Sequence, residues 1–335
     1  MTGRSVLVTG ATGFVGRHLT ARLCERGDRV TVLLRSASRH RCPDLPGLRT
    51  VVGDLATGEG VQEAVKDSDC VVHLAAVLSA RSARAYRRGN TEGTQRLLDA
   101  LAGLPDPPRL VLCSSLAAAG PSHHGQPRTE EDTPQPVSHY GRSKLAAEEA
   151  ARVYADRVST VVVRPPIVYG PGDRALLPSL LPMVRAGIVL KSGYGPRSYS
   201  LLHVADLCSA LVAACERGKT LSRDDPAAGV YFVSDGREYS WENLCCCMAS
   251  VLGRRPPTFL PVPLPVVWVT AAMAETAGRL RTTPPPLTRD KVREMRHPAW
   301  TCSTERARAD LHFVPRTDLT EGLARWAELD GPPIR

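Results

Sequence analysis

VLVTGATGFVG, residues 6–16, decides how the rest of the chain is read. Three apolar residues and a threonine form the end of a strand, Ser5–Thr9, and three glycines follow at 10, 13 and 16. An apolar, helix-forming stretch then runs to about Arg26. A strand that turns on glycine into a helix brings the first helical amides and the positive end of the helix dipole to the strand tip, a place that favours a phosphate. The turn has to be tight, the backbone has to approach a pyrophosphate, and the helix has to pack closely on the strand; glycine serves all three needs. Thr9, Gly10, Thr12, Gly13, Phe14, Val15 and Gly16 are therefore the expected dinucleotide cradle, although the spacing is GxxGxxG rather than GxGxxG.

Further along, short apolar runs alternate with longer helical stretches. Strands are expected at Val30–Leu34, Leu48–Val52, Cys70–Leu74, Arg109–Ser114 and Thr160–Arg164. Helices are expected at about Ala83–Ala102, with Leu97, Leu98 and Leu101 inward, and at Tyr140–Tyr154. Strands that are apolar throughout and separated by helices predict a parallel sheet covered on both faces, an α/β Rossmann-type doubly wound fold. After residue 165 prolines and glycines cluster and the pattern loosens. The expected division is a cofactor-binding domain of 1–168 plus about 199–230, and a smaller discontinuous α/β substrate lobe of about 169–198 plus 231–335.

Nineteen residues after Gly16 the second strand ends in LLRSASR. A site for NAD(H) usually places an acid there to hold the ribose 2′-hydroxyl; here Arg35 stands with Ser36 beside it and Arg39 nearby, which suits a 2′-phosphate. NADP(H) is expected in preference to NAD(H), which stays open. Asp54, next to Leu55, sits where an acid accepts hydrogen bonds from an adenine amino group, and Leu74, Ala75 and Ala76 end the fourth strand with room for a cofactor.

The bulk numbers exclude several classes. The chain has 335 residues, 43% of them hydrophobic and 23% charged, which are globular values. Its net charge of +9 is carried mostly by arginine, with no basic tail or aromatic-interleaved basic patch, so no nucleic-acid partner is expected. No stretch reads as a signal peptide or a spanning helix; PVPLPVVWVTAAMAETAG, 261–278, is interrupted by prolines and Glu275, and it reads as core packing of the second lobe. The ten cysteines form no CxxC pair, and the three consecutive ones at 245–247 point about 100° apart on a helix. Reduced thiols in the cytoplasm, no metal and no membrane partner are expected.

Tyr140 stands four residues before Lys144 in HYGRSK, 139–144. One helical turn puts both side chains on one face. A phenol with an ordinary pKa near ~10 is a poor base at neutral pH, and a neighbouring ammonium favours its phenolate. Lysine occurs at only five positions, so Lys144 is a rare choice in an arginine-rich chain.

Together TGATGFVG, GDL, HLAA, NTEGT, SSLAAAG, YGRSK, RPPIVYGPGD and HVADL, in this order, resemble the extended short-chain dehydrogenases/reductases. That branch includes nucleotide-sugar epimerases, dihydroflavonol reductases and 3β-hydroxysteroid dehydrogenases. The resemblance implies a catalytic Tyr140, a Lys144 that also holds the nicotinamide ribose, and a Ser115 that hydrogen-bonds the substrate oxygen. It places Ser114, Pro165, Ile167 and Val168 beside the nicotinamide, and Val77, Leu78, Leu116 and Tyr199 on the substrate side. Asn90 fits a structural role, with a proton relay as the other reading. The resemblance also implies a homodimer through the helices near 90–102 and 141–155.

Departures from the family pattern narrow the expected reaction. Leu116 and Ala117 follow Ser115 where sugar dehydratases carry acids. Ile167 replaces the asparagine of nucleotide-sugar enzymes, and Tyr199 replaces their arginine, with Arg197 two places away. Cys113 lies on the wrong side of the serine for a cysteine-dependent epimerase. What remains is hydride transfer to a mainly apolar or polyketide-like carbonyl, or from the matching alcohol, in a biosynthetic setting such as secondary metabolism. An epimerase that keeps its cofactor bound is the alternative, and a cofactor-sensing regulator without catalysis the more distant one. Arg81, Arg84 and Arg88 recur at helical spacing; they read either as a solvated face or as a seat for an acidic handle. The substrate pocket is expected to draw on 77–88 and 281–288.

Overall fold

The computed structural model describes residues 3–42, 45–123, 125–278, 285 and 287–330. Its centre is a seven-stranded sheet built from β1 (Ser5–Thr9), β2 (Arg29–Leu34), β3 (Arg49–Val52), β4 (Cys70–His73), β5 (Arg109–Cys113), β6 (Thr160–Arg164) and an outer strand Val230–Phe232. The order across the sheet is β3, β2, β1, β4, β5, β6 and Val230–Phe232, with every pairing parallel. The direction of winding reverses between β1 and β4, which opens the crevice at their carboxyl ends that ligands of such sheets use.

Alternation within β1 shows why both faces need cover. Val6 and Val8 join Leu19, Leu23 and Leu211 on one side, while Leu7 joins Leu97, Leu98 and Leu101 on the other. Helices Phe14–Glu25 and Val204–Arg217 supply the first layer, and Gly93–Ala102 and His139–Val153 lie on the opposite side. The helical run expected at 83–102 is present in three parts: Ala83–Tyr86, a wider π-turn at Arg87–Glu92, and Gly93–Ala102. Such π-turns often sit at functional sites, and this one carries Asn90.

The second lobe has more regular structure than its prolines and glycines suggested. A four-stranded sheet of short segments (Ile167–Tyr169, Ser198–His203, Glu238–Ser240 and Ala299–Trp300) packs with helices Leu176–Ala186, Trp241–Val251 and Leu319–Leu329 around the buried Trp326. A two-stranded parallel ribbon pairs Ile188–Ser192 with Thr258–Val262. One expectation is corrected here. Helix Leu264–Ala277 is not core packing: Ala271 is its only buried residue. Composition misled because the helix is apolar on every side, so no polar face marks which side meets solvent. No described helix is long and apolar enough to cross a membrane.

Candidate active site

The glycine turn owes its shape to close backbone approach. Gly10 has φ +74°, and a Cβ there would come within 2.7 Å of the Ala75 amide; one at Gly16 would reach 2.2 Å from the Gly10 carbonyl. A Cβ at Gly13 would meet only the Gly10 carbonyl, at 3.1 Å, and otherwise points into open space. Gly13 caps helix Phe14–Glu25 with no side-chain hydrogen bond, and the first turn carries no acid. Thr12 sits in the turn ahead of it, and Val15, partly buried, packs on the core below. The first-turn amides are thus left to an anion, so the residues present fit a dinucleotide pyrophosphate. Arg35 and Ser36 are exposed at the end of β2, where Arg35 forms no hydrogen bond or ion pair through its side chain among the described residues. The side chain of Arg39 lies outside the described residues. Asp54 Oδ1 accepts the Ala56 amide (2.8 Å), and Leu55 packs on the sheet below.

His73, at the end of β4, was not singled out by its sequence. Its Nδ1 lies 2.7 Å from Thr9 Oγ1 and its Nε2 3.0 Å from Thr94 Oγ1. Thr94 already donates to the Asn90 carbonyl (2.6 Å), so Nε2 carries the proton given to Thr94, and Thr9 donates to Nδ1. Burial, assisted by the Lys144 charge, pushes this imidazole down to about 3, in keeping with a neutral ring. Thr9 Oγ1 also accepts the Ala75 amide (3.3 Å), tying the turn to Leu74, Ala75 and Ala76.

Asn90 has the structural role that its surroundings dictate. Its Oδ1 accepts the Val77 amide (2.6 Å), and its Nδ2 donates to the Val77 carbonyl (3.1 Å) and to Ser143 Oγ (2.9 Å). This clamps the loop after β4 onto the helix His139–Val153. Val77 is half-buried there and Leu78 is exposed.

Ser115 follows β5 in extended conformation and caps the short helix Leu116–Ala119, accepting the Ala117 amide (3.1 Å). Burial dominates at the Tyr140 phenol and holds it above the ordinary range, with the neighbouring Ser115 hydroxyl the opposing influence. Lys144, buried, donates to the Cys113 carbonyl (2.6 Å), and burial lowers its ammonium. The structure therefore brings Ser115, Tyr140 and Lys144 together at the carboxyl end of β5, next to the sheet crevice.

Behind them lies a buried ion pair that the sequence reading passed over. Arg164 donates from Nε (3.1 Å) and Nη2 (2.5 Å) to the two carboxylate oxygens of Glu148, which also accepts from Ser114 Oγ. Glu148 stands one helical turn after Lys144, Ser114 precedes Ser115, and Arg164 precedes Pro165. One charge pair thereby joins the three segments that carry the site. The spacing from Lys144 was legible; the partner across the sheet was not.

The remaining expected residues are placed as follows. The Pro165 carbonyl accepts the Leu116 amide (2.8 Å), and Leu116, 3% exposed, packs on Ala119, Phe232 and Cys302. Ile167 and Val168 lie on the strand paired with Leu201 and Leu202. Tyr199 packs beside Trp241, with ring centroids 6.1 Å apart. Arg197 is buried and spends its guanidinium on the carbonyls of Ser192 (2.5 Å) and His297 (3.3 Å). Most of 281–288 lies outside the described residues. Tyr86, missed in sequence, is buried with its ring centroid 6.1 Å from that of Tyr140.

The NAD dependent epimerase/dehydratase family profile matches residues 6–225, about two thirds of this chain. The chain belongs to the NAD-dependent epimerase/dehydratase family. It is 32% identical over 301 residues to the ceramide reductase of Caulobacter vibrioides, covering 89% of this chain and 86% of the relative. It is 31% identical over 337 residues to the 2-alkyl-3-oxoalkanoate reductase of Stenotrophomonas maltophilia, covering 96% and 97%. The structure of MoeE5 in complex with UDP-glucuronic acid and NAD superposes with a TM-score of 0.73 at 27% identity, covering 97% of this chain and 98% of that one. This member is an NAD(P)-dependent oxidoreductase of the extended short-chain dehydrogenase/reductase kind, on the Rossmann-like fold expected.

Proposed function

We propose that the protein reduces the carbonyl of a mainly apolar substrate, such as a 3-oxoacyl or polyketide-like chain, with NADPH preferred over NADH. The observation that carries this reading is the convergence of Ser115, Tyr140 and Lys144 at the carboxyl end of β5, with burial holding the Tyr140 phenol above its ordinary range. A neutral phenol is an acid ready to give a proton to an oxygen that gains charge, as reduction requires. When bound, the reduced nicotinamide supplies the hydride. The chain does the rest: Ser115 and Tyr140 hydroxyls hold the substrate oxygen, Tyr140 donates its proton to it, and the nearby Lys144 charge favours the phenolate left behind. The glycine turn would hold the pyrophosphate, Arg35 a 2′-phosphate, Asp54 the adenine side and Lys144 the nicotinamide ribose.

Two observations support an apolar substrate. The arginine nearest the position used for diphosphate sugars is consumed by backbone carbonyls. The two relatives above are named as reductases of a ceramide and of a 2-alkyl-3-oxoalkanoate. The test follows NADPH oxidation with 3-oxoacyl esters of rising chain length. Turnover that increases with chain length supports the reading; no oxidation with any of them, together with interconversion of nucleotide sugars, would replace it with the epimerase alternative.

A further inference from the structure

Helix Leu264–Ala277 presents an apolar face that no other described element covers. Val266, Val269 and Met273 fall at i, i+3 and i+7 and keep 52%, 57% and 68% of their surface exposed. The only charged residue in the helix, Glu275, is bound by Arg289 through its amide (2.8 Å) and Nε (2.7 Å). The apolar surface continues in both directions along the chain. The ribbon strand that leads into the helix pairs Leu260 with Leu190, and both are exposed. At the other end the Gly278 carbonyl accepts from Arg81 Nη2 (3.0 Å), which lies on the same loop as the exposed Leu78. Exposed apolar residues grouped along one face in this way mark an interaction surface.

We infer that this face seats the protein on an anionic lipid surface. Charge chooses the occupant. Arg81 reaches the end of the helix through the Gly278 carbonyl, Arg84 and Arg88 follow it on the next turns of chain, all three are exposed, and the exposed apolar stripe carries no carboxylate. Arg84 and Arg88 form no ion pair among the described residues. An apolar stripe with an arginine at its end, on a chain of net charge +9, matches a negatively charged bilayer, whereas a second copy of this chain would bring like charge to the contact. At 14 residues the helix is about 21 Å long, short of the ~30 Å hydrocarbon layer, so it lies in the interface. The face also adjoins the site: Tyr86, in the same short helix as Arg84, packs against Tyr140, and the helix that binds Glu275 also holds the Tyr140 backbone amide through Asp290 (3.2 Å). The inference deepens the proposed reduction of apolar carbonyls and rests on it for its purpose, the transfer of substrate from lipid to the site.

The experiment is flotation of the purified protein with vesicles of phosphatidylcholine alone or mixed equally with phosphatidylglycerol, at low and high salt. Binding to the anionic vesicles only, weakened by salt, is expected. Replacing Arg81, Arg84 and Arg88 by glutamine should lower partition on the order of a hundredfold, at the usual contribution of a near-surface cation. Val269→Glu with Met273→Glu should lower it at least tenfold while leaving reduction of a short, water-soluble 3-oxo ester unchanged. No flotation with either vesicle, or flotation that the glutamate pair leaves intact, overturns the inference. So does a wild-type dimer that the glutamate pair splits without any vesicle binding. Flotation needs no turnover, so a protein that binds vesicles but reduces no carbonyl contradicts the proposed reaction alone.

Discussion

Asp290 and Tyr140 are 150 residues apart in sequence, yet the carboxylate of one accepts the backbone amide of the other at 3.2 Å, and that of His139 at 2.7 Å. A segment of the C-terminal part of the chain thus caps the helix that carries the candidate acid. Beside it, Ser138 donates to Glu294 (2.8 Å), and Arg293 neutralises Asp290 (3.0 Å). Losing such a cap costs about 1–2 kcal/mol and frees the first helical turn. Asp290→Ala is expected to lower kcat about tenfold and Tm by several degrees while the NADPH KM stays unchanged. Asp290→Asn, which keeps one acceptor, should recover part of kcat. Steady-state kinetics check this; a KM change without a kcat change would show that the contact does not position Tyr140.

Tyr140→Phe removes only the hydroxyl. Proton transfer by a placed side chain contributes typically 10²- to 10⁴-fold, so kcat is expected to fall by that order. Binding of NADPH, followed by its fluorescence, should persist. Turnover near that of the wild type would refute the assigned mechanism.

Arg35→Ala tests the cofactor preference. A hydrogen bond to a charged group contributes about 1.5–3 kcal/mol, so KM for NADPH should rise roughly tenfold or more with little change for NADH. Equal kcat/KM with both cofactors in the wild type would refute the preference before any variant is made.

The Glu148–Arg164 pair should behave asymmetrically. Glu148→Gln leaves a buried guanidinium uncompensated and is expected to cost about 3–5 kcal/mol, read from urea unfolding. Glu148→Leu combined with Arg164→Met should cost much less. A double variant as unstable as the single one would show that Ser114, rather than the charge pair, holds the three segments together.

His73 and His203 are both pushed down by burial, to about 3 and about 4. In the unfolded chain they take up protons near the ordinary pKa of ~6.5. Between the two values the unfolded state binds more protons, so stability falls as pH drops through ~6.5, by at most about 1.4 kcal/mol per pH unit for each group. Unfolding in urea at about pH 7 and about pH 5 should show this loss, and His73→Asn should reduce it. An unchanged pH dependence in the variant would remove His73 as the cause.

The sheet was legible because its physics is local. β6 was read at its observed bounds, since a run of Thr and Val ended by a charge allows little else, and the glycine turn declared itself by spacing. The helix Val61–Val65 is too short for periodicity to register. In the second lobe, strands of two or three residues such as Ala299–Trp300 exist only through the partners they pair with. The candidate site divides along the same line. Tyr140 and Lys144 could be read from their spacing and Ser115 from the family resemblance, while Glu148, one turn after Lys144, was passed over. Asp290, Tyr86 and Arg164 enter through contacts across the fold that no spacing encodes.

If the substrate is an apolar carbonyl, as proposed, Arg197 constrains how it could be exchanged for a nucleotide sugar. A nucleotide-sugar specificity would need a guanidinium at position 199, but sliding the existing one along the strand would strand the carbonyls of Ser192 and His297 that it now satisfies. The second arginine would have to be gained while the first is kept, and the side chain displaced is Tyr199, which packs against Trp241. A change toward charged sugars would therefore lower folding stability unless a compensating repair around Trp241 came first.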